Sequence, residues 1–513
     1  MKSFVRTKII KGREYLYEIT PYYDQEAGKW RQKTKYLGKN NNGEPVKKER
    51  TGKSGQIFNF GEYIPVYWAI KEHKIIEALL SSCSPEEAAF IVLLASNRLL
   101  DPCPPANLNT WLEGTYLSRL IPRVDFKHDN LMQVLQKISD RSVIEVFSRM
   151  FASINDLSDE RVLYTLRLFD IPDLMREKGC RFSSKEDLEQ ELGVSIQYDP
   201  KKKILTGFDT FQLPHIAIKN SIERVRLGEI QGGIIVPHWD YHSSSLVSRL
   251  LDAQSPFIVR TDTSYGPVSS HVLDWSEQMD NPKNIKHFHG KSCYIQPFSV
   301  KFGMTRVPGF ILHDIKKEQV DRLAFNKKIH QVRDLIRETP EYPGPVQEFL
   351  HETAGPFLKF FTIAENKGSY QIRMNQDEMN HTIKKFGRSC VLYQGNFTWE
   401  ECFSLTDMRG ILEQDMSHLI LQLERDFQGY RIDRIRKGLF FICFLSILIQ
   451  NLIMNRLLSA QIPEVFSFES LVTELKTIHI VKSYQPSVSP QRLTRKQKSL
   501  ISFFGGIPPM KGD

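Results

Sequence analysis

Several familiar signatures are missing from this 513-residue chain. Its seven cysteines (Cys83, Cys103, Cys180, Cys293, Cys390, Cys402 and Cys443) are scattered, and none form a C-x-x-C pair. An odd, dispersed set argues against a disulfide framework or a zinc ribbon and for a reducing, intracellular setting. There is no P-loop, G-x-S-x-G or H-E-x-x-H motif, so the nucleotide hydrolases, serine hydrolases and zinc peptidases that carry those signatures have no support. No internal repeat appears, and the opening Met1-Lys2-Ser3-Phe4-Val5-Arg6 has no apolar segment of the kind a signal peptide needs. Long hydrophobic runs are scarce too. The best, Leu439 to Ile449, is followed by Gln450 and Asn451 before Leu452-Ile453-Met454. The uninterrupted part is too short for roughly 30 Å of hydrocarbon, so a buried helix is expected and no membrane.

What remains is an ordinary globular composition, 41% hydrophobic and 25% charged. The net charge of +9 is concentrated: residues 1–53 hold 14 Lys and Arg against 6 Asp and Glu. A positive module at one end of a nearly balanced chain suits a polyanion such as nucleic acid. Three short strands are expected there, Phe4–Ile10, Glu14–Thr20 and Lys29–Leu37, joined by turns at Lys11-Gly12 and Glu26-Ala27-Gly28. Arg31, Lys33 and Lys35 alternate with Trp30, Thr34 and Tyr36, which predicts a half-buried sheet with one basic face. Asn40 to Pro45 and Lys47 to Gly55 read as a polar linker.

Residues 60–155 read as a helical domain, with a capping box at Ser84-Pro85-Glu86-Glu87. From residue 160 the pattern is α/β. Strands are expected at Val162–Leu168, Gly193–Tyr198, Lys203–Asp209, Gly233–Val236 and Phe257–Arg260, with helices at Ile216–Val225 and Ser244–Leu251. A β-rich stretch covers about 265–384. A second capping box, Thr398-Trp399-Glu400-Glu401, opens helices that run to about 460, and 483–513 reads as a basic disordered tail.

Two acidic residues stand out. Asp240 follows the buried-strand pattern Gly233-Ile234-Ile235-Val236, and Glu413 shares a helix face with Arg409, four residues earlier. The alternatives are plain: Asp240 as a turn cap, and Arg409–Glu413 as a surface ion pair worth little.

The run Arg6 to Tyr17, with Lys33-Thr34-Lys35-Tyr36-Leu37-Gly38, resembles the opening of DDE-type insertion-sequence transposases. The stretches Asn97 to Pro102 and Trp111-Leu112-Glu113, and the Arg409/Glu413 helix with Gly438–Leu448 after it, are similar to theirs as well. The likeness extends over roughly residues 1–460. It implies an α/β fold: a ribonuclease-H-like core (160–262 and 385–460) interrupted by a β-rich insertion (265–384). A small basic β module (1–53) and the helical domain (60–155) precede it. It also implies cleavage and joining of double-stranded DNA at terminal inverted repeats by a homodimer in the cytoplasm, associated with the nucleoid. The family's chemistry uses Mg²⁺ (or Mn²⁺) held by three carboxylates, because hard cations take oxygen ligands. Asp240 matches the second carboxylate and Glu413 the third, both as catalytic and metal-binding residues. Lys8, Arg13, Arg31, Lys33, Lys35 and Arg409 are the residues expected to contact DNA.

The chain departs from the family at the first carboxylate. Val162-Leu163-Tyr164-Thr165-Leu166-Arg167 puts Thr165 where an Asp belongs. Asp170 lies five residues on, roughly 16 Å along a strand and on its opposite face. Asp199-Pro200-Lys201-Lys202 reads as a turn. Thr406 and Ile420 replace a Tyr and a Lys of the family helix. Three readings follow: an active transposase, a catalytically inactive DNA-binding relative, or an unrelated metal hydrolase. The last would use His238-x-Asp240-x-His242 and His287-x-His289.

Overall fold

A computed structural model describes residues 3–10, 13–24, 29–41, 44–46, 56–122, 124–168, 192–211, 214–230, 232–238, 244–274, 281–338, 351, 354–366, 369–427, 432–460, 467–482, 489–490 and 493–507. The chain divides into two compact units, one of residues 1–58 with 479–491 and one of residues 59–478 with 492–513.

The smaller unit is an antiparallel meander of β1 (Phe4–Ile10), β2 (Arg13–Asp24), β3 (Lys29–Asn41) and β4 (Glu44–Val46), paired in that order. The fourth strand falls inside the segment expected to be a linker. Directly opposed residues share a face. The pairs Tyr22 with Arg31, Thr20 with Lys33 and Glu18 with Lys35 therefore place Arg31, Lys33 and Lys35 of β3 on one face. The other face carries aromatic rings: Tyr17 lies 5.3 Å from Tyr36, and Tyr23 lies 5.4 Å from Trp30. This face was expected to be half-buried, but Trp30 is 57% exposed and Tyr36 51%. Alternation defines which side chains share a face; it does not supply anything to cover them.

The larger unit is built on a nine-stranded mixed sheet. Its strands are β6 (Val162–Leu168), β7 (Leu192–Asp199), β8 (Ile204–Phe211), β9 (Ile234–Val236), β10 (Phe257–Thr261), β11 (Lys286–Phe288), β12 (Lys291–Phe302), β13 (Thr305–Asp314) and β16 (Arg388–Gln394). The preceding short strand, β5, is Gln56–Asn59, and a separate hairpin is formed by β14 (Phe361–Asn366) and β15 (Ser369–Met374). The spatial order is β11-β12-β13-β16-β10-β9-β6-β7-β8. Strand β7 is antiparallel to β6 and to β8, whereas β9 is parallel to β6 and to β10. Helices Pro214–Arg226 and Ser244–Asp252 make the crossovers into β9 and β10. The first five strands thus lie in the order third, second, first, fourth, fifth.

Strand β6 is central and buried from Val162 through Leu166, as its continuous apolar run requires. One sheet face is covered by the crossover helices and by helix Gly266–Leu273: Leu163, Ile235, Phe257 and Val259 pack against Ile218, Ile222, Leu246 and Val272. Helices Trp399–Asp426 and Ile432–Ser459 follow β16. Phe208 of β8 stacks on Phe444 at 5.4 Å. The Ile432–Ser459 helix is the only one among the described residues long and apolar enough to cross a membrane, and 78% of its apolar window is buried inside the unit. It packs closely on the helical domain. A Cβ at Gly438 would sit 2.2 Å from the Leu135 carbonyl oxygen, and Ser446 Oγ donates to the Ala95 carbonyl at 3.0 Å.

Two expectations need correction. The stretch expected to be β-rich holds a 24-residue helix, Ile315–Glu338. Its Phe325, Ile329, Val332 and Ile336 recur at helical spacing and form a second small core with Phe360 and Phe361. The basic tail is not irregular throughout. Thr494 caps helix Arg495–Phe503 with a full capping box. Arg456 anchors that helix by donating to the Phe503 carbonyl at 2.6 Å and stacking 4.3 Å from the Trp68 ring.

Candidate carboxylate site

The Trp399–Asp426 helix starts where Thr398 Oγ1 accepts from the Glu401 amide at 3.2 Å and the Thr398 amide donates to Glu401 Oε2 at 2.8 Å. Its third turn delivers Arg409 and Glu413 to one face. Thr406, a turn earlier, is buried and donates its hydroxyl to the Cys402 carbonyl at 3.1 Å. Ile420, two turns later, is also buried. Neither replacement leaves a charge on this face.

Glu413 uses both oxygens. Arg409 Nη1 donates to Oε2 at 2.7 Å, and His238 Nε2 lies 2.9 Å from Oε1. His238 sits two residues past Val236, the last residue of β9, and is 2% exposed. Arg409 is buried as well. It was expected to contact DNA phosphate; its guanidinium donates to Glu413, and the helix turns this face towards the sheet.

Strand register explains what does not assemble. Tyr164 pairs with Val236 across β6 and β9, so Thr165 comes one residue beyond, near the end of β9. Alternation puts Thr165 on the Leu163 face, under the crossover helices. Tyr164 points the other way, near Arg409. Burial pushes its phenol well above the usual range, the Tyr198 phenol adds to this, and Arg409 opposes it. The hydroxyls of Thr165 and Tyr164 are both buried, without a hydrogen-bond partner among the described residues. Asp240 and Asp170, with His242, lie outside the described residues. A Thr165–Asp240–Glu413 cluster is therefore not assembled among the described residues. His238 is the partner that sequence reasoning did not assign to Glu413; the available signal was its place just beyond the end of a buried strand.

Mg²⁺ takes several oxygen ligands; of the two expected metal carboxylates only Glu413 is among the described residues, and it has an arginine on one oxygen and an imidazole on the other. No group of three or more His, Cys, Asp or Glu that could hold a metal occurs among the described residues. The histidines of the metal-hydrolase reading are spread out: His289 bonds Ser404 at 3.3 Å and His287 bonds Ser292 at 3.5 Å. Asp199, the last residue of β7, caps the expected turn that follows it. It accepts from the amides of Ser158 at 2.7 Å and of Lys201 and Lys202 at 2.9 Å each.

In the smaller unit, Arg31, Lys33 and Lys35 share the basic face, and all three are exposed. Lys8 is opposite Tyr15 and so belongs to the aromatic face. Arg13 opens β2, and its side chain lies outside the described residues. No protein-family model matches this chain, and no curated protein matches it.

Proposed function

We propose that this is a transposase-like DNA-binding protein with a ribonuclease-H-like core, acting as a homodimer on duplex DNA, whose carboxylate site does not cut. The observation that carries the inactive reading is the double engagement of Glu413 by Arg409 and His238. The strand order of the sheet's first five strands supports the ribonuclease-H-like core, since that fold places its second strand antiparallel and its fourth and fifth beyond the first. The exposed cations Arg31, Lys33 and Lys35, on one face of a sheet, support duplex binding through phosphates.

The test uses the full chain and duplex DNA carrying inverted repeats that flank the gene. Binding is expected without cleavage in Mg²⁺ or Mn²⁺. Changing Lys33→Glu together with Lys35→Glu should weaken it and flatten the salt slope by about one unit per lost phosphate contact. Absence of binding at low salt overturns the DNA reading. Cleavage that disappears in Asp240→Ala overturns the inactive reading and restores the active transposase.

A further inference from the structure

The aromatic face of the small sheet is exposed, and rings grouped on one exposed face mark an interaction site. They stand in two groups. Tyr15 and Tyr17 lie 6.1 and 5.3 Å from Tyr36, and Tyr23 lies 5.4 Å from Trp30. Along β3, Trp30 and Tyr36 are separated by roughly 20 Å. Cations stand on the same face: Arg6 is directly opposite Tyr17, and Lys8 is directly opposite Tyr15. Both are exposed, and neither has a carboxylate partner among the described residues. The acidic side chains of β2 turn the other way. Glu14 is opposite Ile9, and Glu18 is opposite Val5 and Lys35, so both belong to the face of Arg31, Lys33 and Lys35. Among the described side chains, the ring face thus holds cations and no Asp or Glu.

We propose that this face binds a single-stranded polynucleotide, with unpaired bases stacked on Trp30, Tyr36 and the tyrosines beside them and with phosphates on Arg6 and Lys8. Exposed rings offer a stacking surface to any base, and cations among them take the backbone. A duplex cannot use the rings, because its bases are already stacked inside the helix; only unpaired bases can be splayed onto them. A protein partner would have to bury two unanswered cations along with the rings, whereas the cores of protein interfaces are depleted of charge. A second copy docked face to face would bring Arg6 and Lys8 of both chains into one interface. The inference stands apart from the duplex reading above, since the rings and the row of Arg31, Lys33 and Lys35 occupy opposite faces of the sheet.

The experiment measures binding of the full chain to fluorescent oligothymidylate and oligouridylate, which form no duplex, and to a duplex of mixed sequence, each over a range of salt. A single strand should bind, and the preferred one identifies the sugar. Trp30→Ala with Tyr36→Ala should weaken single-strand binding about tenfold or more and leave duplex binding within about twofold. Both side chains are more than half exposed, so thermal stability should hold. Trp30→Phe with Tyr36→Phe keeps the rings and should keep most of the binding. Arg6→Gln with Lys8→Gln should flatten the single-strand salt slope by about 1.4. Lys33→Glu with Lys35→Glu should weaken the duplex more than the single strand. Absence of single-strand binding at low salt, or single-strand binding indifferent to loss of both rings, overturns the inference. So does a ring variant that turns a dimer into a monomer while strand binding is intact, which makes the face a contact between copies. In each case, duplex binding that still depends on Lys33 and Lys35 leaves the DNA-binding reading intact. Ring-dependent binding of single strands with no duplex binding does the reverse.

Discussion

Two arginine–carboxylate pairs in the larger unit look alike on paper and differ in kind. Arg98 Nη1 donates to Asp426 at 2.6 Å, and Arg409 Nη1 donates to Glu413 at 2.7 Å. Around Arg98 other acceptors are supplied: its Nε donates to Asn97 Oδ1 at 3.0 Å, and its Nη2 reaches both Asn97 Oδ1 and the Cys103 carbonyl. The Arg98 side chain is fully buried. The pair joins the Pro85–Leu100 helix to the end of the Trp399–Asp426 helix. The Arg409 pair lies at the wall of a cleft, near the buried Tyr164 hydroxyl, which has no partner among the described residues. The contrast separates a charge buried to hold two helices together from one in a polar neighbourhood left incomplete. Full satisfaction marks the first, and unsatisfied neighbours mark the second.

The same contrast separates two buried carboxylates. Burial alone would raise Asp199, but the amides of Lys202, Ser158 and Lys201 outweigh it and hold the carboxyl below its usual range. Glu62 is 2% exposed, and neither of its oxygens has a partner beyond its own residue among the described residues. Burial pushes it up to about 7; its own backbone amide works against this and Asp101 reinforces it.

Substitutions test both contrasts, and the largest effect is expected at Arg98. Arg98→Met leaves the buried Asp426 with only the exposed Arg425, at 3.3 Å, and should cost about 3–5 kcal/mol in urea unfolding. A loss under 1 kcal/mol would erase the distinction drawn between the two arginines. Glu62→Gln should act with pH. In the folded chain Glu62 holds its proton to a higher pH than in the unfolded chain. Its share of stability is therefore complete below about pH 4.5 and is lost as pH rises through about 7. The Gln variant should match the parent at pH 4.5 and exceed it by up to about 3 kcal/mol at pH 8. Equal melting curves at both pH values would rule out the burial argument. Arg409→Met should cost less than Arg98→Met, about 1–3 kcal/mol, because Glu413 keeps His238 and some solvent. Thr165→Val should change stability by less than about 1 kcal/mol, or raise it, by removing a polar group that bonds nothing.

Much of the sheet could be read from the chain because its signals are local. Val162–Leu168 and Phe257–Arg260 are short apolar runs bounded by polar punctuation, and both are strands within a residue or so of expectation. The capping boxes at Ser84 and Thr398 need only four residues each, and both are formed. The Ile315–Glu338 helix was hidden because its apolar positions are diluted by charged neighbours within a region dominated by strand patterns. The Arg409–Glu413 spacing established a shared helix face, but the direction of that face depends on tertiary packing. His238 meets Glu413 across 175 positions of sequence, a distance over which no local pattern carries information. The aromatic side of the small sheet failed differently: period-two alternation was right, and the inference that the apolar side is covered was not.

The placing of β16 has a further consequence. It lies between β10 and β13, pairing antiparallel with each. A ribosome making this chain releases β10 and then β11–β13 well before residue 388, so two sheet edges wait for one late strand. Gly387 sets the hinge into it, with a left-handed φ of 68° and a carbonyl that accepts from the Asp314 amide at 2.9 Å. Until that strand docks, both edges present unpaired backbone groups of the kind that recruit other chains. Synthesis of this protein thus has a vulnerable interval of more than 70 residues, between Asp314 and Arg388, in which both edges are open and a prematurely ended product should be more prone to aggregate than the completed chain.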